Sequence, residues 1–97
     1  MEKDLEKYLK EKAEAAGGMC VKLACPGTDS MPDRLLLFPN GKMCLVELKA
    51  SEDKKVKGKQ LLKASEIRKM GFPVYFVKSK TDVKEILNLI MGYNYIK

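Results

Sequence analysis

Two acids and a lysine sit where a β-hairpin would ordinarily carry only core residues. Asp33 opens the run Asp33-Arg34-Leu35-Leu36-Leu37-Phe38, Glu47 and Lys49 close the run Met43-Cys44-Leu45-Val46-Glu47-Leu48-Lys49, and Pro39-Asn40-Gly41 lies between. The turn decides whether they meet. A three-residue loop, with Pro39 and Asn40 at the centre of a type I turn and Gly41 left-handed, pairs Phe38 with Lys42. Counting back along the antiparallel ladder then sets Leu35 against Leu45 and Asp33 against Glu47, side chains on one face and Cβ atoms about 5 Å apart. Lys49, two residues on, points to the same face. A two-residue Asn40-Gly41 turn would slip the register by one and leave Asp33 opposite Leu48. On the first register, two carboxylates forced together either share a proton or bind a cation, and an all-oxygen site suits a hard ion such as Mg²⁺. Lys49 beside them is placed to orient or help deprotonate a water, or to stabilise charge developing on a phosphate. The bland alternative is a solvated strand end. An acid two residues before a lysine means little alone, since Glu52, Asp53 and Asp82 satisfy the same spacing.

The elements that must hold this hairpin are legible around it. Leu5, Leu9, Ala13 and Ala16 form one stripe of a helix from Glu2 to about Ala16, stopped by Gly17-Gly18. Met19 to Ala24 reads as a first strand, and Cys25-Pro26-Gly27-Thr28-Asp29-Ser30 as a loop leading into the hairpin. The hairpin lacks the alternation of a sheet wet on one side, so helices should cover both faces in an α/β sandwich. Ser51 to Gly58 is too polar for core. A second helix should run from about Lys59 to Met70, burying Leu61, Leu62, Ala64, Ser65, Ile67 or their neighbours, and stop at Gly71. Val74 to Val77 is a short strand. Ser79 or Thr81 then caps a third helix with Val83, Ile86, Leu87, Ile90 and Met91 inside, giving the order αβββαβα in one domain over residues 1–97.

Composition narrows the chemistry. With no histidine among 97 residues, Ser-His and Cys-His nucleophiles and His-ligated zinc are excluded. Cys20, Cys25 and Cys44 are odd in number and lack CxxC spacing, so free thiols are expected. The net charge of +6 favours a polyanionic partner. Lys54, Lys55, Lys57, Lys59 and Lys63 follow the acidic strand and would bring a basic segment beside it to hold a phosphate backbone. Tyr93 and Tyr95, after an apolar helix, read as packing or subunit contacts rather than base-stacking groups. No apolar run approaches the roughly 18 residues of a membrane span, and the charged start Met1-Glu2-Lys3-Asp4 does not read as a signal peptide, so a cytoplasmic protein is expected.

Taken in order, these residues resemble a known family. Glu2, Gly17-Gly18, Pro26-Gly27, Pro32-Asp33-Arg34, Glu47-Leu48-Lys49-Ala50, Gln60 and Gly71-Phe72-Pro73-Val74 resemble the small VRR-NUC branch of the PD-(D/E)XK nucleases. The usual Gly-Val before Pro-Asp is here Ser30-Met31. The resemblance implies a restriction-endonuclease-like αβββαβ core, a mixed central sheet with helices on both faces, and an extra C-terminal helix. It further implies an Mg²⁺- or Mn²⁺-dependent endonuclease in a bacterial or phage-infected cell, acting as a homodimer on branched DNA such as four-way junctions. Asp33 and Glu47 would be metal ligands, the Leu48 carbonyl a further one, and Lys49 would assist the attacking water. Gln60 would stand near Lys49, and Glu2 would reach the metal side from the first helix, where Glu6, one turn later, is easily confused with it. The alternative readings are a non-catalytic nucleic-acid-binding module or a nuclease subunit of a larger assembly.

Overall fold

The computed structural model describes residues 2–27, 30–49 and 58–92, with Glu2 as backbone only. The readings on Lys54, Lys55, Lys57, Tyr93 and Tyr95 lie outside the described residues. Helix α1 spans Glu2–Ala15, and strands β1, β2 and β3 span Met19–Lys22, Arg34–Phe38 and Lys42–Leu48. Helix α2 is Gly58–Lys69, strand β4 Val74–Val77 and helix α3 Lys80–Met91. β1, β2 and β3 form an antiparallel meander, and β4 joins β3 in parallel, giving a mixed sheet in the order β1-β2-β3-β4.

Two helices stop where glycine lets them. Gly17 is left-handed (φ 82°), its N–H reaches the Glu14 carbonyl and the Gly18 N–H reaches that of Ala13. Gly71 (φ 96°) ends α2 with the same pair of bonds, from Gly71 to Arg68 and from Phe72 to Ile67. Ser79 caps α3, its hydroxyl accepting from the Asp82 N–H.

Strand alternation divides the core in two. Leu36, Phe38, Cys44, Val46, Leu48 and Val77 point to the face packed by Leu5, Leu9 and Ala13 of α1 and Val83, Ile86 and Leu87 of α3. Leu45 and Val74 point the other way, under Ala64 and Ile67 of α2, with Leu35, Met43 and Phe76 half-buried around them.

Two expectations need correction. Leu61 and Leu62 are 52% and 68% exposed rather than core. The inner stripe of α2 is Gln60, Ala64 and Ile67, at helical spacing, and it turns both leucines outward. Helices do stand on both faces, as expected, although Met19 and Leu37, partners across the β1–β2 ladder, remain exposed. The hairpin loop has the expected three residues, yet Asn40 is itself left-handed (φ 68°, ψ 27°), so Pro39-Asn40 is not a type I turn. Asparagine tolerates that region, and loop length alone preserves the register, Phe38 facing Lys42 and Leu35 facing Leu45.

The link from α1 into β1 presses directly on β2. A Cβ on Gly18 would overlap the Leu37 carbonyl oxygen and stand 2.8 Å from Phe38 Cδ1, whereas one on Gly27 would meet only its own left-handed backbone. Gly18→Ala should therefore cost about 3 kcal/mol by overpacking and Gly27→Ala about 1 kcal/mol by strain. Denaturant melts of the two variants check this, and equal losses would contradict the contact.

Candidate metal centre

The register that places Leu35 against Leu45 brings Asp33 up to Glu47 at the far end of the ladder, on the face covered by α2. Asp33 Oδ1 accepts a hydrogen bond from the Leu48 N–H at 3.3 Å. Glu47 is 8% exposed, deep for a carboxylate. Its Oε2 takes a hydrogen bond from Gln60 Nε2 at 2.9 Å and lies 3.4 Å from Lys49 Nζ. Gln60, Ser30, Pro32, Ala64, Val74 and Phe76 line a narrow crevice beside Glu47. Burial, and then the charge of Asp33, push the Glu47 carboxyl above its ordinary value, and Lys49 and a backbone hydrogen bond from Asp33 pull it part of the way back.

This donor set fits a hard divalent cation. Two carboxylates crowd together, and the one that is buried is made harder to ionise by the other. A cation between them would relieve both effects. Leu48 directs its N–H at Asp33, and a strand residue presents N–H and C=O to the same edge, so the Leu48 carbonyl emerges on the Asp33 side as a third oxygen. Among the described residues no three Asp, Glu, Cys or His side chains gather into a group that could hold a metal ion by themselves. Mg²⁺ is commonly held by one or two carboxylates, with waters and substrate phosphate completing its octahedron, so an open set of this kind suffices.

The residue after Asp33 serves the opposite face. Arg34, 5% exposed, points toward α1, where its NH2 meets Glu6 Oε1 at 2.8 Å. Its NH1 donates to the Asp33 carbonyl at 2.9 Å and lies 3.7 Å from Asp33 Oδ2. Glu6 is thus engaged by a buried guanidinium, and its carboxylate is directed at Arg34 rather than into the Asp33–Glu47 cluster. Of the basic residues read from sequence, Lys59 is exposed at the start of α2 and Lys63 pairs with Glu66 at 3.1 Å. The structural role of Arg34 was missed in the sequence, although strand parity was a signal: whatever faces α2 at Asp33 must face α1 one residue later.

No family model matches the sequence. A solved structure described as a VRR_NUC domain superposes with a TM-score of 0.83 at 34% identity, covering 98% of this chain and 97% of that one. The chain belongs to the VRR-NUC family. A curated phage protein, "Putative nuclease p44" of Acyrthosiphon pisum secondary endosymbiont phage 1, is 42% identical over 53 residues, 55% of this chain and 57% of that protein. The match therefore spans little more than half of the phage protein's length. This VRR-NUC chain has Ser30 where the family pattern has glycine, and Ser30 is left-handed (φ 68°), a conformation in which glycine carries no Cβ penalty.

The raised Glu47 carboxyl has a consequence for stability. Folding disfavours its ionised form, so the penalty is absent below the ordinary value of 4.5, grows as pH rises from there to the raised value and stays constant above it. Glu47→Gln, which keeps an acceptor for Gln60, should melt above the parent at neutral pH in EDTA, and the gap should close on the acid side of 4.5. Thermal melts across pH check this, and a variant melting below the parent at neutral pH would contradict it.

Proposed function

We propose that this chain is a metal-dependent endonuclease that hydrolyses phosphodiester bonds in DNA through one site per chain, built on the single domain 1–97. The observation that carries the reading is the placement of Asp33, Glu47 and Lys49 around one point at the end of the β2–β3 ladder, with Gln60 closing it from α2. Membership of the VRR-NUC family and the likeness to a curated phage protein named as a nuclease support it.

Asp33, Glu47 and the Leu48 carbonyl would hold Mg²⁺ or Mn²⁺. Such an ion polarises a phosphoryl oxygen and lowers the pKa of bound water. The chain's own residues supply the rest. Gln60 fixes the Glu47 carboxylate, so its lone pairs are aimed before any cation arrives. Lys49, tethered to the same oxygen, keeps a cationic Nζ within reach of an attacking water or of the phosphate as its negative charge grows. Hydrolysis adds the water oxygen to phosphorus and breaks one P–O ester bond.

Because a chain with one site cuts one strand, symmetric cleavage of a branched substrate needs two copies, and a homodimer acting on four-way junctions is the form we propose. Asp33→Asn, which keeps the acceptor for Leu48, and Lys49→Ala should each lose about 10³-fold or more of Mg²⁺- or Mn²⁺-dependent cleavage. Both should retain DNA affinity within about threefold, since phosphate contacts elsewhere dominate binding. Assays on junction, flap, duplex and single-stranded DNA check this. Cleavage retained in either variant would sink the assignment, as would a parent that binds DNA but yields no metal-dependent products.

A further inference from the structure

We propose that the outer flank of α1 is a second contact surface for a nucleic-acid backbone, an inference that rests on the nuclease reading and extends it to a face away from Glu47 and Lys49. Lys3, Lys7 and Lys10 recur at helical spacing along that flank and, with Glu6, line an open groove of about 380 Å³. Among the described residues Glu6 is the one acid lining this groove, and its carboxylate is held by the buried Arg34 guanidinium at 2.8 Å. Asp4 and Glu11 share a neighbouring groove with Lys7 and oppose it in part, whereas the charge of Glu6 is already matched by Arg34. Lys7 also lies 4.0 Å from Glu11, but both side chains are largely exposed, and so loose a pair yields readily to a phosphate.

Position relative to the candidate metal centre makes this more than a solvated helix face. Lys22 pairs with Arg34 across the β1–β2 ladder, so its exposed side chain joins the same side of the sheet. Arg34 in turn follows Asp33 and donates to its carbonyl. The groove is thus linked to Asp33 through Glu6 and Arg34. From Lys3 to Lys10 the helix rises about 10 Å, the axial length of about three phosphates on one strand. A row of cations of that length fits a polyphosphate chain. A lipid surface is disfavoured because the apolar stripe of α1 (Leu5, Leu9, Ala13) is already buried in the core and unavailable for insertion. A strand passing Asp33 would be gripped on this side by α1, independently of any contact from Lys59 and Lys63 on the α2 side.

The test compares two triple variants of equal charge change in the full chain. Lys3→Gln, Lys7→Gln and Lys10→Gln remove the groove, whereas Lys42→Gln, Lys69→Gln and Lys84→Gln remove exposed lysines elsewhere. Binding to a labelled four-way junction and to duplex DNA is measured in EDTA across a salt series, with circular dichroism to establish folding. The groove variant should bind about tenfold more weakly and lose about 2 to 3 from the slope of log affinity against log salt, and the control should lose less than about twofold in affinity. Equal losses in the two variants would overturn the surface and leave the nuclease reading intact. A parent that binds DNA through the groove but never cleaves it would remove the nuclease reading and leave the surface standing. A parent that does not bind DNA would overturn both.

Discussion

A carboxylate as buried as Glu47 is unfavourable unless other groups offset it, and the arrangement at the end of β3 follows from that requirement. Gln60 donates to one of its oxygens, Lys49 approaches the same oxygen, and Asp33 stands beside it as a second negative charge. For stability alone, Asp33 is the wrong neighbour, since it pushes Glu47 further toward the neutral form. The pairing makes sense where a cation is to be held. Folding free energy spent in crowding the acids would then be returned when the ion binds.

The hairpin register is the device that produces this crowding, and strand alternation decides what stands behind it. Along β2 and the residue before it, Asp33 faces α2 and Arg34 faces α1, so one dipeptide serves both sides of the sheet. Arg34 ties Glu6 of α1 to the Asp33 main chain. Because Glu6 neutralises the guanidinium, Arg34 can brace Asp33 from behind without presenting a whole uncompensated positive charge to a cation in front. The first helix, which contributes most of its apolar surface to the core, is thereby connected to the candidate site through one buried ion pair.

Much of this was readable in the sequence where a single local rule governs. Gly17 and Gly71 end helices because the left-handed closing residue favours glycine, and the ladder could be counted because a three-residue loop admits one register. The outcome survived a wrong turn type, since register depends on loop length and not on the dihedral angles of Asn40. What failed depended on tertiary placement. Leu61 and Leu62 look like core by composition, but α2 seats itself through Gln60, Ala64 and Ile67 because its polar leading residue is drawn to Glu47. Arg34 and Glu6 carry compatible charges 28 positions apart, and only the packing of α1 against the sheet tells which acid the arginine meets.

The central claim is that Asp33 and Glu47 form one cation site. Calorimetric titration of Mn²⁺ into the metal-free parent and into Asp33→Asn tests it without reference to cleavage. The account predicts saturable binding by the parent and a loss of about tenfold or more in affinity for the variant, with the fold unchanged by circular dichroism. Equal affinities in parent and variant, or no binding by the parent, would contradict it.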